Sequence, residues 1–172
     1  FQYFYLDSAF YYKEIYIFFF AIVGATGNVG RKTLEVLEKK DLSIDNLYLL
    51  ASSKSLGKKI NFKGVDHDIH DLESFDFSKV KISFFAAGGK ISEKFAEKAA
   101  KNCLVIDNSS HFRMDPDVPL IVPQVNSEDL KTIKKNIVAN PNCSTAQLVI
   151  ALKPLHDLFL IKRVVVSTYQ SV

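Results

Sequence analysis

Covalent chemistry is most credible at one sulfur. Cys143 stands in Asn140-Pro141-Asn142-Cys143-Ser144-Thr145-Ala146, directly ahead of an apolar helical pattern over Ser144–Leu152. A thiol at a helix N-terminus is pushed toward the thiolate, and the thiolate is the nucleophile. Proline and asparagine before it imply a fixed polar turn; the competing reading is a buried structural cysteine. Cys103, followed by Leu104, Val105 and Ile106, reads as a small core residue.

A second chemical feature is Gly24-Ala25-Thr26-Gly27-Asn28-Val29-Gly30, between an apolar run and a helical pattern. Glycines let backbone approach a pyrophosphate, and the free N–H groups of the helix start favour the anion. The spacing is G-x-x-G-x-x-G rather than G-x-G-x-x-G, so a plain strand–helix turn is the alternative. NAD sites place a carboxylate about 20 positions on, against the ribose hydroxyls. Here Ala51 is followed by Ser52-Ser53-Lys54-Ser55-Leu56-Gly57-Lys58, with hydroxyls, cations and no acid. That set suits a 2′-phosphate and favours NADP; an ordinary surface loop is the alternative. A dinucleotide turn plus a thiolate suggests chemistry on an aldehyde or acyl group: sulfur adds to carbonyl carbon, hydride moves, and a thioester is involved. Phosphate exchange at the thioester needs an anion site. Arg113, in Asn108-Ser109-Ser110-His111-Phe112-Arg113-Met114-Asp115-Pro116, is a candidate, with a surface ion pair as the alternative.

The elements that must hold these residues alternate along the chain. Apolar runs at Ile17–Val23, Leu47–Ala51, Val80–Ala86, Leu104–Asp107 and Ile137–Ala139 predict strands. Helical patterns at Val29–Lys40, Ser92–Lys101 (Ser92 as N-cap), Ser127–Lys135 and Ser144–Leu152 (stopped by Pro154) lie between or after them. The polar stretch 61–77 alternates around Val65, His67 and Ile69 and predicts an edge strand; Arg163–Tyr169 predicts a last, β-branched strand. Strands separated by helices imply parallel pairing, and unbroken apolar strands imply a sheet covered on both faces. The expectation is a doubly wound α/β domain over 17–172.

With 172 residues, 48% hydrophobic and 24% charged, the chain has room for one domain with a real core. Mean hydropathy of +0.06 argues against disorder. A net charge of +3, with lysine pairs scattered rather than on one face, gives no nucleic-acid footprint. Two cysteines make no disulfide scaffold, so a reducing, cytoplasmic setting is the default. Residues 1–16 are set apart as an aromatic-rich extension: 11 of the 21 aromatic residues fall in the first twenty positions. The segment has neither a basic n-region nor a small-residue cleavage site, so no signal peptide is expected. Its apolar run, Ile15–Val23, is nine residues, against the roughly 20 a membrane span needs. His67 and His70 lie on a polar segment without cysteines or a third ligand, so no metal is expected, and His156, after a helix, reads as structural.

Taken together, Gly24–Gly30, Leu50–Lys58, Phe85–Gly89, Val105–Pro116, Val118–Asn126, Asn140–Thr145 and Val166–Gln170 resemble bacterial aspartate-semialdehyde dehydrogenase, from about Phe20 onward. The resemblance implies a Rossmann-type sheet and NADPH-dependent reduction of aspartyl phosphate to aspartate semialdehyde, on the route to lysine, methionine, threonine and isoleucine. It implies Cys143 as acyl-thioester nucleophile and Gln170 as the residue holding substrate beside it. Arg113 would bind phosphate, with Asn108 between phosphate and cofactor. Gly24, Thr26, Gly27, Asn28 and Val29 would form the pyrophosphate turn, Lys54 and Ser55 the 2′-phosphate clamp, and Ala87 and Gly88 a cofactor-contacting loop. Lys54 stands where the family usually has arginine, and Gln124 where glutamate is common. The family's acid/base histidine, substrate-carboxylate arginine and homodimer surface belong to a further domain. This chain is therefore expected to be a truncated, inactive part whose last helix and strand expose apolar faces. A non-catalytic NADP-binding fragment and an N-acetyl-glutamyl-phosphate reductase are the alternative readings; the Asn-Pro-Asn-Cys-Ser-Thr stretch and the Ser-Thr-Tyr-Gln ending argue against the second.

Overall fold

The computed structural model describes residues 18–40, 42 and 44–169. The aromatic extension 1–16 and Gln170 lie outside the described residues. The strands are β1 (Phe18–Val23), β2 (Ile44–Ala51), β3 (Lys59–Phe62), β4 (Val65–Asp71), β5 (Ile82–Phe85), β6 (Leu104–Asp107) and β7 (Ile137–Ala139). The α-helices are α1 (Asn28–Glu38), α2 (Gly89–Ala100), the short α3 (Pro123–Asn126) and α4 (Cys143–Phe159).

They form one sheet in the order β3-β4-β2-β1-β5-β6-β7. Every pairing is parallel except β3 with β4. Alternation along β1 shows why its sequence is apolar throughout. Ala21 and Val23 face a core shared with Phe95, Ala96 and Ala99 of α2, whereas Ile22 faces a second core with Leu34 of α1. Both faces are buried, so no position in the strand can be polar at low cost. The chain leaves β1 toward β2 on one side and returns to β5 on the other. Ligands of open α/β sheets sit above that reversal, at the carboxyl ends of the strands.

The strand expected within 61–77 forms as β4, but it is not at the edge: the antiparallel strand β3, which has no counterpart among the expected elements, covers its outer side. Strand β3 folds onto β4 through Lys63-Gly64, both at positive φ (49° and 80°), a two-residue hairpin turn. Lysine at the first turn position hides the usual Asn-Gly signal.

Four further expectations need correction. First, α2 opens at Gly89 with Gly88 as its cap residue, at φ 86°. Ser92 is therefore inside the helix and fully buried, its Oγ donating to Asp107 Oδ1 at 2.6 Å. Second, Ser127–Lys135 is not an α-helix; α3 is followed by a 3-10 turn at Ser127–Thr132. The Asn126 side chain accepts from Val122 N–H and donates to Leu120 O and Asp129, which diverts the chain from a regular helix. Third, α4 continues through Pro154 to Phe159. Pro154 and Ile150, whose carbonyl loses its helical partner, are both exposed, so that carbonyl is not sealed from solvent. Fourth, Arg163–Tyr169 is not a strand. At the outer side of β7, Ala139 is already bonded to the loop before the strand: Ile121 N–H donates to Ala139 O and Ala139 N–H to Pro119 O. Arg163 and Val164 lie instead beside Val125 of α3 and Val149 and Leu152 of α4. Among the described residues, no helix is long and apolar enough to cross a membrane.

Candidate active site

The turn after β1 is built by what its glycines lack. Gly24 adopts φ 84°, and a Cβ there would lie 2.9 Å from the backbone of Ala86. Gly30 packs so tightly that a Cβ would come within 2.3 Å of the Gly24 carbonyl oxygen. Gly24 N–H is anchored to Leu50 O at 2.8 Å, which binds the turn to the end of β2. Gly27 is the cap residue of α1 and has no side chain to satisfy the first-turn N–H groups. Those donors and the positive end of the helix are left for an anion. Arg31 Nε donates to Thr26 O at 3.1 Å, which holds a further cation at the turn.

A cavity of about 470 Å³ opens beside this turn. Gly24, Thr26 and Gly27 form one wall; Ala51, Ser52 and Ser53 close the end of β2; Ala86 and Ala87 follow β5. Leu72, Ile91 and Phe95 give it apolar sides, and Glu73 stands at its margin, paired with Lys94 at 2.5 Å. An extended dinucleotide needs such a groove: small residues at the phosphates, hydroxyls at a ribose, apolar walls for a base. The residues present fit that class of cofactor.

Of the expected cofactor residues, Gly24, Thr26, Gly27 and Ala87 line the cavity. Asn28 and Val29 form the exposed first turn of α1. Lys54 and Ser55 lie on the 3-10 turn at Ser53–Ser55, one and two residues past the lining Ser53. Gly88 caps α2 just after Ala87. None of these five lines the cavity itself. Ser52 and Ser53 were legible as hydroxyls in that loop. Glu73 had no sequence signal, because it enters from the end of β4 rather than β2.

The nucleophile candidate sits two strands further along. Cys143 is the first residue of α4, just beyond β7, and its side chain is exposed. Asn142 caps the helix, its Oδ1 accepting from Ser144 N–H at 3.0 Å and from Ser144 Oγ at 2.7 Å. The Cys143 thiol points at the same oxygen, Sγ to Oδ1 3.7 Å. Cys143 does not line the 470 Å³ cavity. Cys103 behaves oppositely: it is buried, donates to Ala99 O at 3.3 Å, and burial pushes its thiol pKa up.

Arg113 is half-buried and is held against the turn that carries Cys143. Its Nε donates to Asn140 O at 2.9 Å, with Nη2 3.5 Å from Asn108 O. Asn108 follows β6, and its N–H donates to Phe85 O at 2.9 Å. Beneath them Asp107 is fully buried and accepts from Ser92 Oγ, Ser109 N–H and Ser109 Oγ. This network ties α2, β6 and the Arg113 loop together. Among the described residues, no cluster of His, Cys, Asp or Glu could hold a metal ion.

The fold and crevice define a Rossmann-type, NAD(P)-binding domain. Residues 20–133 match the family model of the semialdehyde dehydrogenase NAD-binding domain, and the chain belongs to that family. It is 56% identical over 155 residues to an aspartate-semialdehyde dehydrogenase of Aquifex aeolicus (strain VF5), covering 88% of this chain and 46% of that one. A crystal structure of aspartate semialdehyde dehydrogenase II from Vibrio cholerae, complexed with ASA, is similar at a TM-score of 0.80 and 50% identity. That match covers 82% of this chain and 47% of the other. The aspartate semialdehyde dehydrogenase of Candida albicans, solved with NADP, matches at a TM-score of 0.69 and 29% identity, over 83% and 48%. The chain spans a little under half the length of the curated relatives it matches.

Proposed function

We propose that this chain is the cofactor-binding, nucleophile-bearing part of an aspartate-semialdehyde dehydrogenase that reduces aspartyl phosphate with NADPH. One observation carries the reading: an exposed cysteine at the mouth of α4, on a turn to which a half-buried arginine is bonded. The identity of about half to dehydrogenases of that name supports the substrate.

The chemistry follows from the residue types. The Cys143 thiolate attacks the acyl carbon of aspartyl phosphate; the S–C bond forms and the C–O bond to phosphate breaks. Phosphate leaves toward Arg113, whose guanidinium suits a dianion. Bound NADPH supplies the hydride that reduces the resulting thioester. The C–S bond then breaks, returning sulfur to Cys143. Gly24, Thr26, Gly27, Asn28 and Val29 are assigned to the pyrophosphate, and Ala87 and Gly88 to the nicotinamide side. Lys54 and Ser55, with Ser52 and Ser53, are assigned to the 2′-phosphate, the reason to favour NADP over NAD. A lysine holds phosphate as a point charge without the arginine fork, so the preference is expected to be modest. Asn108 is assigned between phosphate and cofactor. Gln170 is assigned to the substrate on resemblance alone.

The family's acid/base histidine has no counterpart among His67, His70, His111 and His156. We expect this chain alone to turn over at least about 10²–10⁴ times more slowly than an intact relative, the contribution of general acid–base catalysis. The intact protein is expected to be a cytoplasmic homodimer. The deciding experiment labels the protein with iodoacetamide, maps the site by mass spectrometry and titrates NADPH against it. Rapid labelling of Cys143 and saturable NADPH binding are expected. An unreactive Cys143 with intact NADPH binding would leave only a cofactor-binding module.

A further inference from the structure

Asn140 has no role in the reading above, yet its backbone N–H, its carbonyl and its side-chain NH2 are each committed. Its N–H donates to Asp107 O at 2.8 Å, which docks the end of β7 on the end of β6. Its carbonyl accepts the Nε–H of Arg113 at 2.9 Å. Its side-chain amide donates to Asn108 Oδ1 at 2.5 Å. One residue thus contacts the end of β6, the loop after it and the arginine, three positions before Cys143 and directly before Pro141.

These bonds have a geometric consequence. A guanidinium has five N–H donors in a fixed planar fork. Here the Nε–H is spent on the Asn140 carbonyl, and Nη2 leans on Asn108 O at 3.5 Å. Holding that edge orients the plane and leaves the remaining donors for an anion. The direction of the Asn140 carbonyl therefore sets the direction of Arg113. That carbonyl is steadied from the same residue by the side-chain bond to Asn108.

We propose that Asn140 is a positioning residue, whose side-chain bond to Asn108 aims Arg113 at the anion leaving from the Cys143 turn. The proposal rests on reading Arg113 as the phosphate site. Asn140 makes no contact with substrate; it acts through the arginine.

The test reads anion binding separately from folding and cofactor binding. The rate of Cys143 alkylation by iodoacetamide is measured against rising inorganic phosphate, with NADPH titrated in parallel. In the unaltered protein phosphate slows alkylation with a saturable profile. Asn140→Ala is expected to raise the phosphate concentration for half-protection about five- to tenfold, the loss of one ordinary hydrogen bond. NADPH affinity is expected to stay within about twofold, since Asn140 lies outside the cofactor cavity. Asn108→Ala combined with Asn140→Ala should be no worse for phosphate than the worse single variant, because both remove one shared bond. If Asn140→Ala does not fold, the isosteric Asn140→Asp decides, since it replaces the donor at unchanged volume. Equal phosphate protection in the variants and the unaltered protein overturns the positioning role while leaving the phosphate reading of Arg113 intact. No protection by phosphate in the unaltered protein overturns both, and saturable NADPH binding would then leave the cofactor reading standing.

Discussion

Gly30 has no space for even a methyl group: a Cβ would sit 2.3 Å from the Gly24 oxygen and 2.8 Å from the Ala25 Cα. Both obstacles are backbone, so neither can swing aside. Gly30→Ala is expected to cost about 1–3 kcal/mol and to weaken NADPH binding, because the turn must open to admit the methyl. Thermal unfolding and cofactor titration of the variant check this. The glycine spacing was legible because only glycine fits so close an approach. Cys143 and Cys103 were also separable from their neighbours: a polar proline-containing turn against an apolar strand. What one residue's setting could not reveal was Glu73. It reaches the cavity from the end of β4, and no local pattern says which strand ends converge.

At the scale of the elements, the buried Ser92–Asp107–Ser109 network couples α2 to β6. Ser92→Ala would deprive a fully buried carboxylate of its 2.6 Å donor. The expected loss is about 1–3 kcal/mol, a Tm decrease of roughly 2–10 °C. Ser74→Ala, at an exposed position, should be silent within the error of the same melt. On α1, Lys32 and Lys39 hold the Glu35 carboxyl down to about 2, chiefly by hydrogen bonds from their ammonium groups. A carboxyl depressed in the folded state stabilises at pH above its unfolded value. That contribution is lost as pH falls from about 4.5 toward about 2. Glu35→Gln should thus lower Tm slightly at pH 7, by about 1–2 °C for an exposed pair, and the difference should vanish near pH 2. Five strands and two crossover helices could be read from periodicity because burial on both faces forces it. The hairpin strand β3, the fate of Ser92 and the path through Pro154 could not, since each depends on a neighbour outside the local window.

Over the whole molecule, the cofactor is expected to behave as a stabiliser. At 100 times its Kd, NADPH should add about 2.7 kcal/mol, raising Tm by roughly 5–10 °C. NADH at the same concentration should raise it less if Lys54, Ser52 and Ser53 hold a 2′-phosphate; an equal shift would remove the preference for NADP. The far end of the described chain carries its apolar side chains outward, with Leu158, Phe159 and Val165 about three-quarters exposed (76%, 75% and 78%). The amino-acid sequence alone determined the doubly wound architecture, the glycine turn and the cysteine at a helix mouth, because each is a short-range demand of packing or backbone geometry. Only the tertiary structure decided which strand ends share the crevice and that Arg113 leans on Asn140. It also decided that Ala139 of β7 pairs with the loop before it rather than with the residues after α4. Those are contacts between segments tens of residues apart, and nothing in a local pattern specifies which distant backbone group will stand opposite a given side chain.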